Sequence, residues 1–202
     1  MKEIHEQPKA VRDTLNSVLV DGKLDMSAVG LSDEDIKKID QICIVACGSA
    51  YHVGVAAQYV IEDLAQIPVR TELASEFRYR KPLLSKNELV IIVSQSGETA
   101  DSLAALRLAK EKGIKTLGIV NVVGSSIARE ADNVFYTLAG PEIAVATTKA
   151  YSTQLIAAYC LAIQFAIVRG TIDEAKYLEL IQEMAQLPDK IQKIIEDKER
   201  IQ

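Results

Sequence analysis

Several residue types are scarce in this sequence, and each scarcity excludes a kind of site. Of its 202 residues none is tryptophan, two are histidine and three are cysteine. Two histidines and three cysteines do not supply the closely spaced ligands of a zinc centre, and we therefore expect no metal. The cysteines, Cys43, Cys47 and Cys160, form no paired framework. That pattern fits a reducing compartment and predicts a cytoplasmic location.

Dense positive charge and a membrane signal are also missing. The formal net charge is −5, whereas nonspecific nucleic-acid binding needs a dense basic surface. The charged N-terminus lacks the apolar core of a signal peptide. The most apolar late stretch, residues 155–168, contains Gln164 and is shorter than a helix that spans a bilayer. We therefore expect no nucleic acid and no membrane among the partners.

The composition that remains is that of a globular protein. Apolar residues make up 49% and charged residues 25% of the chain, and its length allows one domain with a sizeable core. We expect a helical lead-in over residues 1–40, a central domain over 41–170 and C-terminal helices over 171–202.

Strand-like and helix-like patterns alternate about five times along the chain. A continuous apolar run predicts a buried strand, as at residues 42–47. Four further strands are expected, at residues 68–73 (a weaker pattern), 90–93, 115–120 and 134–138. Apolar residues at helical spacing predict helices between and around them, over residues 8–20, 51–65, 74–79, 99–113, 126–131 and 148–168.

Residues that start or stop helices refine these bounds. Pro8 is expected as the first residue of a helix that Gly22 ends, and Ser32 as the N-cap of a short helix. Thr171 is expected to cap another helix, with Glu174 completing a capping box. Leu187-Pro188 is expected to separate a last helix from it.

Alternating strands and helices predict an α/β fold, a three-layer sandwich with a five-stranded parallel sheet. Right-handed crossovers favour the flavodoxin-like strand order 2-1-3-4-5, whose switch point lies between strands 1 and 3. Ligands bind such sheets at the carboxyl ends of the strands beside that point. The two loops there are Gly48-Ser49-Ala50 and Ser94-Gln95-Ser96-Gly97-Glu98-Thr99.

The second of these loops has the composition of an anion site. A buried strand leads into three hydroxyl side chains and an amide, and a helix begins directly after them. Backbone N–H groups at a helix start and nearby hydroxyls together bind phosphate. Neither a nucleotide P-loop nor a Gly-x-Gly-x-x-Gly dinucleotide motif is present. The loop therefore suits a phosphate monoester, and we expect no cofactor.

Other chemically interesting residues have plainer explanations. His52 lies in the first turn of a helix, where capping or packing is commoner than general-base catalysis. Arg78, Arg80 and Lys81 suit a solvated or interface cluster better than an anion site. The segment 142–149 remains open between the start of a core helix and a wall of the ligand pocket.

Four motifs together resemble a known family. They occur in this order and spacing: Cys47-Gly48-Ser49-Ala50-Tyr51-His52, Ala74-Ser75-Glu76-Phe77-Arg78-Tyr79-Arg80, Ser94-Gln95-Ser96-Gly97-Glu98-Thr99-Ala100-Asp101 and residues 140–150. This set resembles the first sugar isomerase (SIS) domain of the glutamine–fructose-6-phosphate aminotransferase family. The resemblance covers nearly the whole chain and implies that the sugar phosphate is bound by Gly48, Ser49, Ala50, Ser94, Gln95, Ser96, Thr99 and Val145.

One position departs from the family. Members typically have Cys-Gly-Thr-Ser where this chain has Cys47-Gly48-Ser49-Ala50. Ser49 keeps a hydroxyl, but Ala50 lacks one that the family uses on its ligand. A charge-assisted hydrogen bond of that kind contributes about 1.5–3 kcal/mol.

The resemblance also implies what this chain does and does not do. Family enzymes convert fructose 6-phosphate and glutamine into glucosamine 6-phosphate and glutamate, with a glutaminase domain followed by two SIS domains, and they form homodimers. Their acid–base residues belong to the second SIS domain. The implied role is therefore to bind a hexose 6-phosphate, with no catalytic residue in this chain and no activity by the chain alone.

The residues of this chain leave two other functions possible. One is a stand-alone SIS module that senses a phosphosugar and regulates a partner. The other is an isomerase with one SIS domain per subunit, for which Glu98 and His52 are the only local acid–base candidates.

Overall fold

A computed structural model describes residues 1–144 and 146–197. The helices are α1 (Lys2–Asn16), α2 (Asp33–Lys38), α3 (Ser49–Ala65), α4 (Ala74–Tyr79), α5 (Ala100–Glu111), α6 (Ser126–Glu130), α7 (Lys149–Arg169) and α8 (Glu174–Glu196). The strands are β1 (Leu19–Val20), β2 (Lys23–Leu24), β3 (Gln41–Ala46), β4 (Val69–Leu73), β5 (Glu88–Ser94), β6 (Lys115–Val120) and β7 (Asn133–Tyr136).

The main sheet has five strands in the order β4-β3-β5-β6-β7. Every neighbouring pair in it is parallel. Counted among these five strands, the order is 2-1-3-4-5, so the expected fold class and switch point are confirmed.

Side chains that alternate along each strand enter two separate cores. On β3, Ile42 and Ile44 join the cluster that contains α3 and α7, whereas Cys43 and Val45 join the cluster that contains α4 and α5. Successive residues of a strand point to opposite faces. The continuous apolar run is therefore explained by helices that cover both faces of the sheet.

Helix α7 contributes many of the buried residues of the first core. Its 21 residues are long and apolar enough to cross a membrane by length and composition alone. Most of the helix is buried inside the protein, including Cys160, Leu161 and Phe165. Helix α7 packs against α1, α3 and α8, and this packing makes it a core helix.

The N-terminal segment differs from the prediction in two ways. Helix α1 begins at Lys2, so Pro8 lies inside it, and the Ile4 carbonyl that loses its backbone donor accepts the Gln7 side-chain amide at 3.4 Å. Asp21 and Gly22 both have positive φ and form the turn of the β1–β2 hairpin. A two-residue turn of this kind fits Asp-Gly, and Gly22 therefore does not end a helix.

The start of α2 agrees with the prediction. The Ser32 hydroxyl accepts the Asp35 N–H, and the Asp35 carboxylate in turn accepts the Ser32 N–H. This reciprocal capping box satisfies two of the N–H groups that a helix start leaves without partners.

The C-terminal helix differs from the prediction at both expected boundaries. Asp173 caps α8 by accepting the Lys176 N–H at 2.8 Å. The Thr171 hydroxyl donates instead to the Leu64 carbonyl at 2.6 Å. Pro188 lies inside α8 and is buried on the same face as Met184. Burial of this continuous apolar face against α1 offsets the hydrogen bond that proline removes.

Candidate functional site

A cavity of about 240 Å³ opens at the carboxyl ends of β3 and β5. These two strands lie side by side with Ala46 opposite Val93, so the loops that follow them meet at one edge of the sheet. The cavity is lined by Cys47, Gly48, Ser49, Ala50, Val93, Ser94, Gln95, Ser96, Thr99, Thr147 and Gln154. The structure thus brings together seven of the eight residues predicted for the site, and Val145 lies outside the described residues.

Hydrogen bonds inside the turn after β5 fix its hydroxyl groups. Ser94 is buried, and its Oγ accepts the Gly97 N–H at 3.1 Å and lies 3.1 Å from Thr99 Oγ1. Ser96 Oγ accepts the Glu98 N–H at 3.2 Å. The Thr99 side chain, at the N-cap of α5, makes no capping hydrogen bond. The N–H groups of the first turn of α5 and these hydroxyls therefore form a preorganised cradle for an anion.

Contacts with the loop after β6 anchor the turn from behind. The Gln95 carbonyl accepts the Asn121 N–H at 3.1 Å, and the Gly97 carbonyl accepts the Ile127 N–H at 3.0 Å. Gly97 has a φ of +66°, and a Cβ there would lie 2.0 Å from Ser125 Oγ. Glycine is required at this position both by backbone conformation and by space.

The loop after β3 forms the opposite side of the cavity. Gly48 precedes α3, and its carbonyl accepts the Tyr51 N–H at 3.1 Å. Ser49 and Ala50 both line the cavity; Ser49 is exposed and carries a hydroxyl, whereas the side chain of Ala50 is a methyl group without a polar atom. The family's extra hydroxyl is thus missing from the cavity wall.

The segment before α7 is held by the N-terminal helix. Glu3 accepts the N–H groups of Ile143 and Ala144 at 2.8 and 3.0 Å. Glu6 pairs at 2.6 Å with Lys149, which is 4% exposed. The two backbone donors lower the pKa of Glu3, and the Lys149 hydrogen bond lowers the pKa of Glu6.

These contacts divide the roles within the segment 142–149. Thr147 lines the cavity, which favours the pocket-wall interpretation for that residue. The buried Lys149 pairs with the partly exposed Glu6 of α1 and is absent from the cavity wall.

Sequence reasoning missed Gln154, which reaches the cavity from α7. Its side chain is 1% exposed, and neither its Nε2 nor its Oε1 has a hydrogen-bond partner. Buried amides are normally hydrogen-bonded. The available sequence signal was a carboxamide near the start of a mostly apolar helix, close to the segment 142–149.

Several other singled-out residues lie outside the cavity. His52 is exposed and contacts the Tyr51 ring edge-on. Glu98 accepts the Ser126 N–H at 2.8 Å, and the hydrogen bonds from Ser126 lower its pKa. Arg78 pairs with Asp101 at 2.6 Å. The Glu98–His52 pair that a single-domain isomerase would need is not assembled here.

The cavity wall is suited to binding and poor in acid–base groups. Among the described residues that line it, none carries a carboxylate, an imidazole or an amine. Hydroxyls, amides and a helix start stabilise an anion, but proton transfer to and from carbon needs a positioned acid or base.

Comparison with known proteins gives consistent results. The model of the SIS domain family matches residues 35–164. Glutamine–fructose-6-phosphate aminotransferase [isomerizing] from Caldanaerobacter subterraneus subsp. tengcongensis is 54% identical over 203 residues, which cover 100% of this chain and 33% of that protein. The Clostridium tetani enzyme of the same name is 54% identical over 98% of this chain and 33% of its own length.

A solved structure shares the fold closely. The C-terminal domain of glucosamine-fructose-6-phosphate aminotransferase from Francisella tularensis superposes with a TM-score of 0.89 at 39% identity, over 93% of this chain and 52% of that one. The chain spans about a third of the length of the curated relatives it matches. With more than half of its residues matched by the family model, the chain belongs to the SIS domain family.

Proposed function

We propose that this chain binds a hexose 6-phosphate, with fructose 6-phosphate and glucosamine 6-phosphate as the ligands to test. The observation that carries the proposal is the cavity at the switch point, where Ser94, Ser96 and Thr99 surround the start of α5. The phosphate lies on this turn, and the sugar extends toward Ser49 and Thr147 on the other walls.

The chemical step requires residues outside this chain. The described cavity wall holds no carboxylate, imidazole or amine. The relatives are named as isomerizing aminotransferases and are about three times as long. The chain is therefore the sugar-phosphate-binding half of an isomerase unit, and it catalyses nothing alone. Residues 1–40 and 171–202 flank the domain as linking segments, and the implied homodimer stays a prediction that light scattering would check.

Calorimetric titration tests the binding proposal. The wild-type chain should bind fructose 6-phosphate and glucosamine 6-phosphate, and Ser96→Ala should weaken both by about tenfold or more because one hydrogen bond to a charged group is lost. Ser75→Ala on α4 makes the same chemical change outside the cavity and should leave the affinities unchanged.

Two results would contradict the proposal. Absence of heat with either sugar phosphate at millimolar concentration would refute binding at this cavity. Interconversion of fructose 6-phosphate and glucose 6-phosphate by the purified chain would refute the claim that it lacks the chemistry.

A further inference from the structure

We propose that Gln154 recognises the hydroxyl groups of the sugar and not the phosphate, and thereby decides which phosphorylated ligands the cavity accepts. This inference rests on the proposed function and assigns a specificity-determining residue to the same site. Gln154 lies on α7, sixty residues after the phosphate turn begins at Ser94.

The starting observation is an unpaired amide in a buried place. Gln154 is 1% exposed, its Nε2 and Oε1 lack partners, and its side chain lines the cavity. Leaving a buried amide unpaired is costly, and an apolar side chain of the same shape at this position would avoid that cost. The neighbouring Thr153, by contrast, donates its hydroxyl to the Ala150 carbonyl at 3.0 Å. The partner of Gln154 is therefore supplied from within the cavity.

The chemistry of a carboxamide selects the kind of partner. Its nitrogen offers two donors and its oxygen is an acceptor. A phosphate dianion has only acceptor oxygens, so its contact would leave Oε1 unpaired and facing negative charge. A sugar hydroxyl both donates and accepts, and adjacent hydroxyls satisfy both ends of one amide. Gln154 thus matches the polyhydroxyl part of the ligand.

The other walls agree with this division. Ser94, Ser96 and Thr99 supply hydroxyl donors for the phosphate at the start of α5. Gln154 comes from α7, an element of the opposite core. A ligand that bridges the turn and α7 therefore needs both a phosphate and a hydroxylated chain.

The test compares two ligands that share only the phosphate. Wild-type chain and Gln154→Met are titrated calorimetrically with fructose 6-phosphate and with inorganic phosphate. Methionine keeps the length and removes both polar atoms. We expect affinity for fructose 6-phosphate to fall by about tenfold or more, since up to two hydrogen bonds are lost, and affinity for phosphate to change less than about twofold.

Controls separate recognition from folding. Gln164→Met makes the same change ten residues further along α7, outside this cavity, and should leave both affinities unchanged. Gln154→Met should keep or raise the midpoint of thermal unfolding, because it removes unpaired buried polar atoms. Should that variant fail to fold, Gln154→Asn withdraws the amide by one methylene and should give the same selective loss.

Each remaining outcome overturns one claim. Equal losses for both ligands would place Gln154 on the phosphate. Unchanged affinity for fructose 6-phosphate would show that Gln154 binds only water, while the proposed function would stand. If the wild-type chain binds neither ligand, the proposed function fails, and the role of Gln154 fails with it.

Discussion

Replacement of Gly97 by alanine perturbs the turn from Ser94 to Thr99 at a position where a side chain has no room. Gly97 has a φ of +66°, and its added Cβ would lie 2.0 Å from the Oγ and 2.6 Å from the Cβ of Ser125. Ser125 is 3% exposed and precedes α6, so it has little room to move. The variant must therefore shift either the turn or the loop after β6.

Two independent costs add up for this variant. Alanine with positive φ costs about 1–2 kcal/mol. Overpacking against Ser125 costs about 1–3 kcal/mol more, so the free energy of unfolding should fall by roughly 2–5 kcal/mol in total. Affinity for fructose 6-phosphate should fall as well, because the amides and hydroxyls of the turn are displaced.

Urea denaturation with a matched control separates the two costs. Gly113 also has positive φ, at +70°, but a Cβ there meets nothing within 4 Å. Gly113→Ala should therefore lose only about 1–2 kcal/mol. In a double variant with Gly97→Ala, Ser125→Gly should restore the part of the free energy of unfolding that overpacking removes. The Ser125 hydroxyl has no hydrogen-bond partner to lose. Equal losses for Gly97→Ala and Gly113→Ala would refute the reasoning.

Two further predictions concern contacts far from the turn. Tyr177→Phe should lower the free energy of unfolding by about 1–3 kcal/mol in the same denaturation assay. The reason is that the buried Leu24 N–H loses its acceptor, the Tyr177 hydroxyl oxygen 2.7 Å away. Tyr159→Phe removes a hydroxyl from an exposed ring and should have no effect. Glu6→Gln should destabilise the chain at neutral pH, because it leaves the buried Lys149 ammonium without its counter-charge. Since folding lowers the pKa of Glu6, its contribution is present above the ordinary carboxyl pKa and is lost as the pH falls through the folded value, so the stabilities of wild type and Glu6→Gln should converge at acid pH.

The sheet and the turn from Ser94 to Thr99 were predictable because local signals specify them. The central strands β3 and β5 contain short apolar runs followed by turn residues, and the handedness of crossovers limits the possible orders. The hydroxyls of the turn lie within six consecutive residues, from Ser94 to Thr99. These local signals selected the two loops, the family resemblance implied the binding residues within them, and seven of those residues line one cavity.

The errors concern residues whose environment is created by distant parts of the chain. Pro8 and Pro188 are normally signs of a helix boundary, yet both are buried inside helices that pack against each other. The Thr171 hydroxyl found the Leu64 carbonyl, 107 residues away, and so does not cap α8. Gln154 lines the cavity only because α7 packs beside the loops that form it, which the sequence around Gln154 does not indicate.

The N-terminal helix α1 also makes contacts with a distant part of the chain. From the sequence α1 is a lead-in that precedes the fold, but its acidic side chains accept the N–H groups of Ile143 and Ala144 and pair with Lys149. The Gln7 side chain accepts the Ser152 hydroxyl at 2.6 Å. These contacts bracket Thr147 on the cavity wall. The position of that wall therefore depends on α1, which the sequence alone does not indicate.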